Sequence, residues 1–157
     1  MVPTPTDRRR FDMSKYSRLW ENIRIHVSNI RKIETGYFVN SYEDLKASHR
    51  IAQLFILDVF LHQHREKYGA GLFPLRGKNA LHHAILLKYK WPLDYIRNLS
   101  LSDALLTLQD ELTPENLPEA AQKFLSGVLE RASQIAFDDL LDDEWNPELG
   151  ELFLREQ

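Results

Sequence analysis

The sequence predicts an all-α protein, a single bundle of five to six helices. Three observations carry this. Apolar residues recur at spacings of three and four along most of the chain, the period of one helix face. Helix-start signals stand ahead of those stripes: "SYED" at 41–44, "SLSD" at 100–103, "TPE" at 113–115 and "NPE" at 146–148. No long β-branched alternation occurs, and no Asn-Gly or Asp-Gly hairpin turn.

Residues 1–12 read as a flexible tail, because Pro3 and Pro5 oppose a helix and Arg8–Arg10 repel one another. Residues 13–157 read as one helical domain. From Ser14, Tyr16, Leu19, Trp20, Ile23, Val27 and Ile30 form one stripe, with Gly36 as a natural stop. Ser41 and Asp44 then open a second helix, Ser41 as an acceptor for a free N–H and Asp44 near the positive end. Between 51 and 61 its apolar residues cover most of the circumference, which predicts a central helix packed on several sides and ended by Gly69.

"NALHHAILLKYKW" (79–91) reads as a third helix, broken by Pro92, with a short turn of helix in "PLDYIRNL". Ser100 and Asp103 cap a stripe of Ala104, Leu105, Leu108 and Leu112. Thr113 and Pro114 are expected to open a long helix whose inner face holds Leu117, Ala121, Phe124, Leu125, Val128, Leu129, Ala132 and Ile135. "NPE" starts a brief final helix through Leu149, Leu152 and Phe153.

A chain of 157 residues, 43% apolar and 27% charged, is an ordinary globular composition. It contains no cysteine, which excludes disulfides, Cys-ligated zinc, iron–sulfur clusters and a thiol nucleophile. The basic N-terminus is followed by no uninterrupted hydrophobic segment, and "LFILDVFL" (54–61) is broken by Asp58. The expectation is a cytoplasmic protein with no membrane partner. Charge is unevenly placed. Residues 1–99 hold 17 Lys/Arg against 9 Asp/Glu, a balance of +8, and residues 100–157 hold 3 against 14, a balance of −11. The halves either attract each other within the fold or present opposite faces to charged partners.

The acidic C-terminal stretch "FDDLLDDEWNPELGELFL" alternates carboxylate pairs with leucines and aromatics. Asp138, Asp139, Asp142, Asp143 and Glu144, with Trp145, have the composition of a partner-docking ridge, a charged rim with apolar anchors. The bland alternative is a solvated face on a segment whose apolar side closes the core. A protein partner docking here, without catalysis by this chain, is the leading expectation: a regulator, adaptor or inhibitor.

Two other readings come from "YGAGLFPLRGKNALHH" (68–83). Arg76, five intervening residues and His82, with His83 next, resemble the Arg-x(4–6)-His signature of the HEPN ribonucleases, a family of small helical bundles. The resemblance implies metal-independent RNA cleavage. Arg76 would stabilise charge on the scissile phosphate, and His82 or His83 would move a proton to or from the ribose 2′-hydroxyl. Alternatively Arg76 and Lys78 are solvated loop charges and the histidines flank a helix. The third reading is nucleic-acid binding, with Arg76, Lys78, Lys88 and Lys90 on phosphates and an aromatic of "KYKW" stacked on a base.

No metal or cofactor is expected. His62 and His64 are two apart on a helix and diverge, as do the adjacent His82 and His83, and no H-E-x-x-H pair occurs. Phosphate-binding loops, dinucleotide fingerprints and a G-x-S-x-G elbow are also missing from the sequence.

Overall fold

The most apolar stretch of the chain becomes the axis of the fold. The computed structural model describes residues 5–33, 42–129 and 135–155, with side chains from Lys15 onward. Helix α2 (Tyr42–Tyr68) is 27 residues long, about 40 Å at the usual rise. Its buried residues Ile51, Leu54, Phe55, Leu57, Val59 and Leu61 point to several sides, as an all-round apolar helix must. Helices α1 (Pro5–Arg31), α3 (Lys78–Tyr89) and α7 (Pro147–Leu154) pack on it. Helix α6 (Glu119–Val128) packs on α1, while α4 (Leu93–Arg97) and α5 (Leu101–Thr107) pack on α3. Among the described residues the fold is all-α, with seven α-helices against the five to six expected. The short turn expected in "PLDYIRNL" forms as a helix of its own, Leu93–Arg97, which accounts for the excess.

An aromatic cluster marks the centre. Phe55 is fully buried, with the rings of Tyr16 and Trp20 each 5.8 Å away and Phe124 at 5.3 Å. These are edge-on or tilted contacts, the arrangement ring quadrupoles favour, and burying such a side chain contributes about 1.5–3 kcal/mol.

Several caps form as expected. Ser100 Oγ accepts the Asp103 N–H at 3.1 Å, and Asn146 Oδ1 accepts the Glu148 N–H at 3.1 Å ahead of Pro147. Gly69 ends α2 by close approach: a Cβ there would lie 2.9 Å from the Arg65 carbonyl oxygen and 3.0 Å from the Leu75 nitrogen.

Other expectations shift. The backbone is helical from Pro5, although residues 1–12 were expected as a tail; proline at a first helical position forfeits no hydrogen bond. Residues 1–4 lie outside the described residues, as do Gly36 and Ser41 with their predicted stop and cap. Helix α1 ends at Arg31, with Lys32 at φ 56° and the Ile33 N–H on the Ser28 carbonyl at 2.9 Å. The long helix expected from Thr113 does not form. Thr113 makes no side-chain cap, and Pro114–Asn116 is a single 3-10 turn. Pro118 then holds Leu117 extended, and the helix begins only at Glu119. It ends at Val128, whose side chain is exposed, and Ala132 lies outside the described residues.

Candidate functional site

The C-terminal acidic stretch is drawn inward more than its charge suggested. Glu144 is 1% exposed, and its carboxylate accepts from Arg31 at the end of α1 and from Arg50 on α2. Arg31 also binds the Asp139 carboxylate at 2.8 Å, which holds that carboxyl below its usual range. Both guanidinium groups reach the Asp139 carbonyl, at 2.7 and 2.9 Å, and lie over the Phe137 ring at 4.2 and 5.6 Å. Asp142 accepts the Leu101 N–H at 2.8 Å, capping α5 from outside the helix. The His26 Nε2 donates to the Asp143 carbonyl at 2.7 Å, which fixes its tautomer. Trp145 is buried, and its indole N–H donates to Asp58 at 2.9 Å.

The expected ridge of Asp138, Asp139, Asp142, Asp143, Glu144 and Trp145 is therefore divided. Glu144 and Trp145 are interior and unavailable to a partner. Asp142 serves the fold. Asp138, Asp139, Asp142 and Asp143 are exposed, although Asp139 is paired with Arg31 as well. The physical reason is pairing: two arginines on α1 and α2 face this segment, and a buried carboxylate persists only where such partners complete its hydrogen bonds.

What remains outside borders a groove of about 490 Å³. Helix α2 contributes Gln53 and Ile56, and α5 with the turn after it contributes Leu105, Leu106 and Leu112. The 137–140 segment contributes Phe137, Asp138, Asp139 and Leu140. Leu106 is 66% exposed, an apolar side chain with no core to enter. Arg50 also lines the groove, with its charge committed to Glu144. Ser102 and Gln109 complete the lining, so the result is a groove of mixed character, with leucines along one wall and carboxylates on the rim.

Sequence reasoning missed Ile56, Leu105, Leu106 and Leu112 as a site. One signal was present: Leu105 and Leu106 are adjacent on a short helix and cannot both face inward.

The candidate ribonuclease residues have different neighbours. Arg76 is exposed and lines two cavities with Glu151 and Arg155, of about 280 and 530 Å³, and neither histidine lines them. His83 Nδ1 is 2.8 Å from His64 Nε2, beside Tyr68. His82 is half-buried, and burial, then Arg97 and Lys78, lower its pKa. Of the basic segment, Lys88 is paired with Asp110 and stands 3.8 Å from Glu111, while Lys78 and Lys90 are exposed. Tyr89 and Trp91 stack on each other at 4.4 Å, and the Tyr89 hydroxyl donates to the Thr107 carbonyl.

Among the described residues no three His, Cys, Asp or Glu side chains are grouped to hold a metal ion. No described helix is long and apolar enough to cross a membrane. Among the described residues the fold and groove thus define an all-α protein with an acid-rimmed groove of mixed apolar and polar lining. No protein-family model matches the chain, and no curated protein or solved structure matches it.

Proposed function

We propose that this protein acts by binding another macromolecule, without catalysis of its own, and that the acid-rimmed groove is where it binds. The observation that carries the reading is the exposed Leu106 beside Ile56, Leu112 and Leu140, bordered by Asp138 and Asp139. Its volume falls in the ~300–1,000 Å³ range of binding clefts. Leucines supply the area that leaves water, and the carboxylates select a partner by charge. The matching ligand is a short basic segment carrying two or three apolar anchors, laid into the trough.

A displayed library of random peptides tests this. Binders should be enriched in Lys or Arg beside large apolar residues, and Leu106→Asp should remove them. Asp138→Lys should shift the selected charge toward acidic. No enrichment, or binders indifferent to Leu106→Asp, would sink the reading.

A further inference from the structure

The most exposed large apolar side chains of the described residues lie between α2 and α3. Leu72 is 93% exposed and Phe73 is 87% exposed, at the tip of the connection between α2 and α3. Two adjacent side chains of this size held in water are costly, by about 1.5–3 kcal/mol each relative to burial. The base of the tip is pinned. Gly69 lets the Leu75 backbone approach within 3.0 Å of its missing Cβ, Leu75 packs on the core, and the Gly77 N–H donates to the Glu151 carboxylate. A projection fixed at its base loses little freedom on docking.

We infer that the groove of one copy receives the Leu72–Phe73 tip of a second copy; the inference rests on the reading of the groove as a binding site. The tip offers apolar side chains to the groove's leucines, and the exposed charges flanking it in sequence, Glu66 apart, are basic while the groove's exposed rim is acidic. Lys67, Arg76 and Lys78, all exposed, flank the tip in sequence, and Asp138 and Asp139 border the groove. The match repeats the division of the whole chain, +8 over residues 1–99 and −11 over residues 100–157.

A tip cannot serve its own groove. Both are set by α2, where the groove residues Gln53 and Ile56 precede the helix end at Tyr68 by three to four turns, about 18–23 Å. The contact joins different patches on the two copies. It closes as a reciprocal dimer, where each tip fills the other copy's groove, or runs head-to-tail into a ring or chain.

Sedimentation velocity on the full chain, from micromolar to millimolar concentration, tests this. The wild type should gain mass with concentration, to a dimer or beyond, and less so at high salt. Phe73→Asp, which spoils the tip, and Leu106→Asp, which spoils the groove, should each weaken self-association about 10- to 100-fold. Both side chains are exposed, and matching circular dichroism verifies that each variant folds. The decisive arm mixes the two variants. One retains a groove and the other a tip, so the mixture should form a capped one-to-one dimer and stop. A wild type that stays monomeric throughout, growth that neither substitution affects, or a mixture that stays monomeric overturns the inference. The Phe73→Asp protein keeps its groove open, so peptide selection on it separates the two readings: selection with a monomeric wild type leaves the groove and removes the second copy.

Discussion

Asp58 offers the sharpest test of the interior. Its carboxyl is 2% exposed, accepts the Trp145 indole N–H at 2.9 Å through one oxygen, and has no hydrogen-bond partner for the other among the described residues. Burial pushes its pKa up from 3.8 to about 7, against smaller opposing pulls from Trp145 and Arg65. The folded value lies above the unfolded one, so the protonated form is the stabilising one. Its contribution is complete below about pH 4 and is lost as pH rises through about 7. A displacement of about three pH units corresponds to about 4 kcal/mol. Asparagine keeps the acceptor for Trp145 and never ionises. It also places an amide donor where the unpaired oxygen now lies, at a cost of about 1–3 kcal/mol. Asp58→Asn should therefore be less stable than wild type below about pH 4 by that cost, cross it as pH rises from about 4 to 7, and be more stable above about pH 8 by the remaining ~1–3 kcal/mol. Urea unfolding of both proteins across this range gives the difference directly. His49, His62, His64 and His82, whose pKa values burial lowers, contribute the opposite slope, but they are common to both proteins and cancel. A difference that stays flat from acid to pH 8 would refute the reasoning.

Three further outcomes are expected. Glu144→Gln leaves Arg31 and Arg50 facing a neutral amide and should cost about 3 kcal/mol or more, with amide exchange rising first across 135–145; an unchanged urea midpoint would contradict the clamp. Gly150→Ala places a Cβ within 2.9–3.0 Å of Asp58 and should destabilise by about 1–3 kcal/mol as α7 lifts from α2, read as a lower thermal midpoint. His64 has its pKa lowered to about 4, first by burial and then by His83, Lys67 and Arg65, so its contribution is present above about pH 6.5 and is lost as pH falls toward 4. His64→Phe, which preserves the ring packing against Phe60 and Tyr68, should flatten that acid limb in pH-dependent melts.

The legible parts of this fold were those governed by neighbours in sequence. Ser100 with Asp103 and Asn146 with Glu148 act within one turn, so residue type and spacing were enough. The all-round apolar run near Phe55 could only be central, and it is. Thr113 misled because Pro114 and Pro118 compete to begin the helix, and the second proline holds Leu117 extended. Glu144 misled for a different reason. A run of carboxylates reads as solvated unless its partners are known, and Arg31 and Arg50 stand 113 and 94 residues away. The groove was hidden in the same way, since it joins residues near 53, 106 and 138. Arg76, His82 and His83 show the converse: close in sequence, they turn to different neighbours in space.

Opposite charge on the two halves of the chain admits both an internal and an external use, and the structure divides them by position. Glu144, deep between α1 and α2, is enclosed by two guanidinium groups, where the low dielectric strengthens attraction and forbids an unpaired charge. Asp138 and Asp139, a few residues earlier, reach water beside exposed leucine, where a single ion pair contributes little to folding. On the reading proposed above, Asp138, for which no ion pair is found among the described residues, is the rim carboxylate most suited to selecting what enters the groove. The same clamp that hides Glu144 also holds Phe137 and Asp139 on the groove's edge. On this account Glu144→Gln should loosen the groove as well as the fold, and weaken peptide capture at temperatures where the protein is still folded.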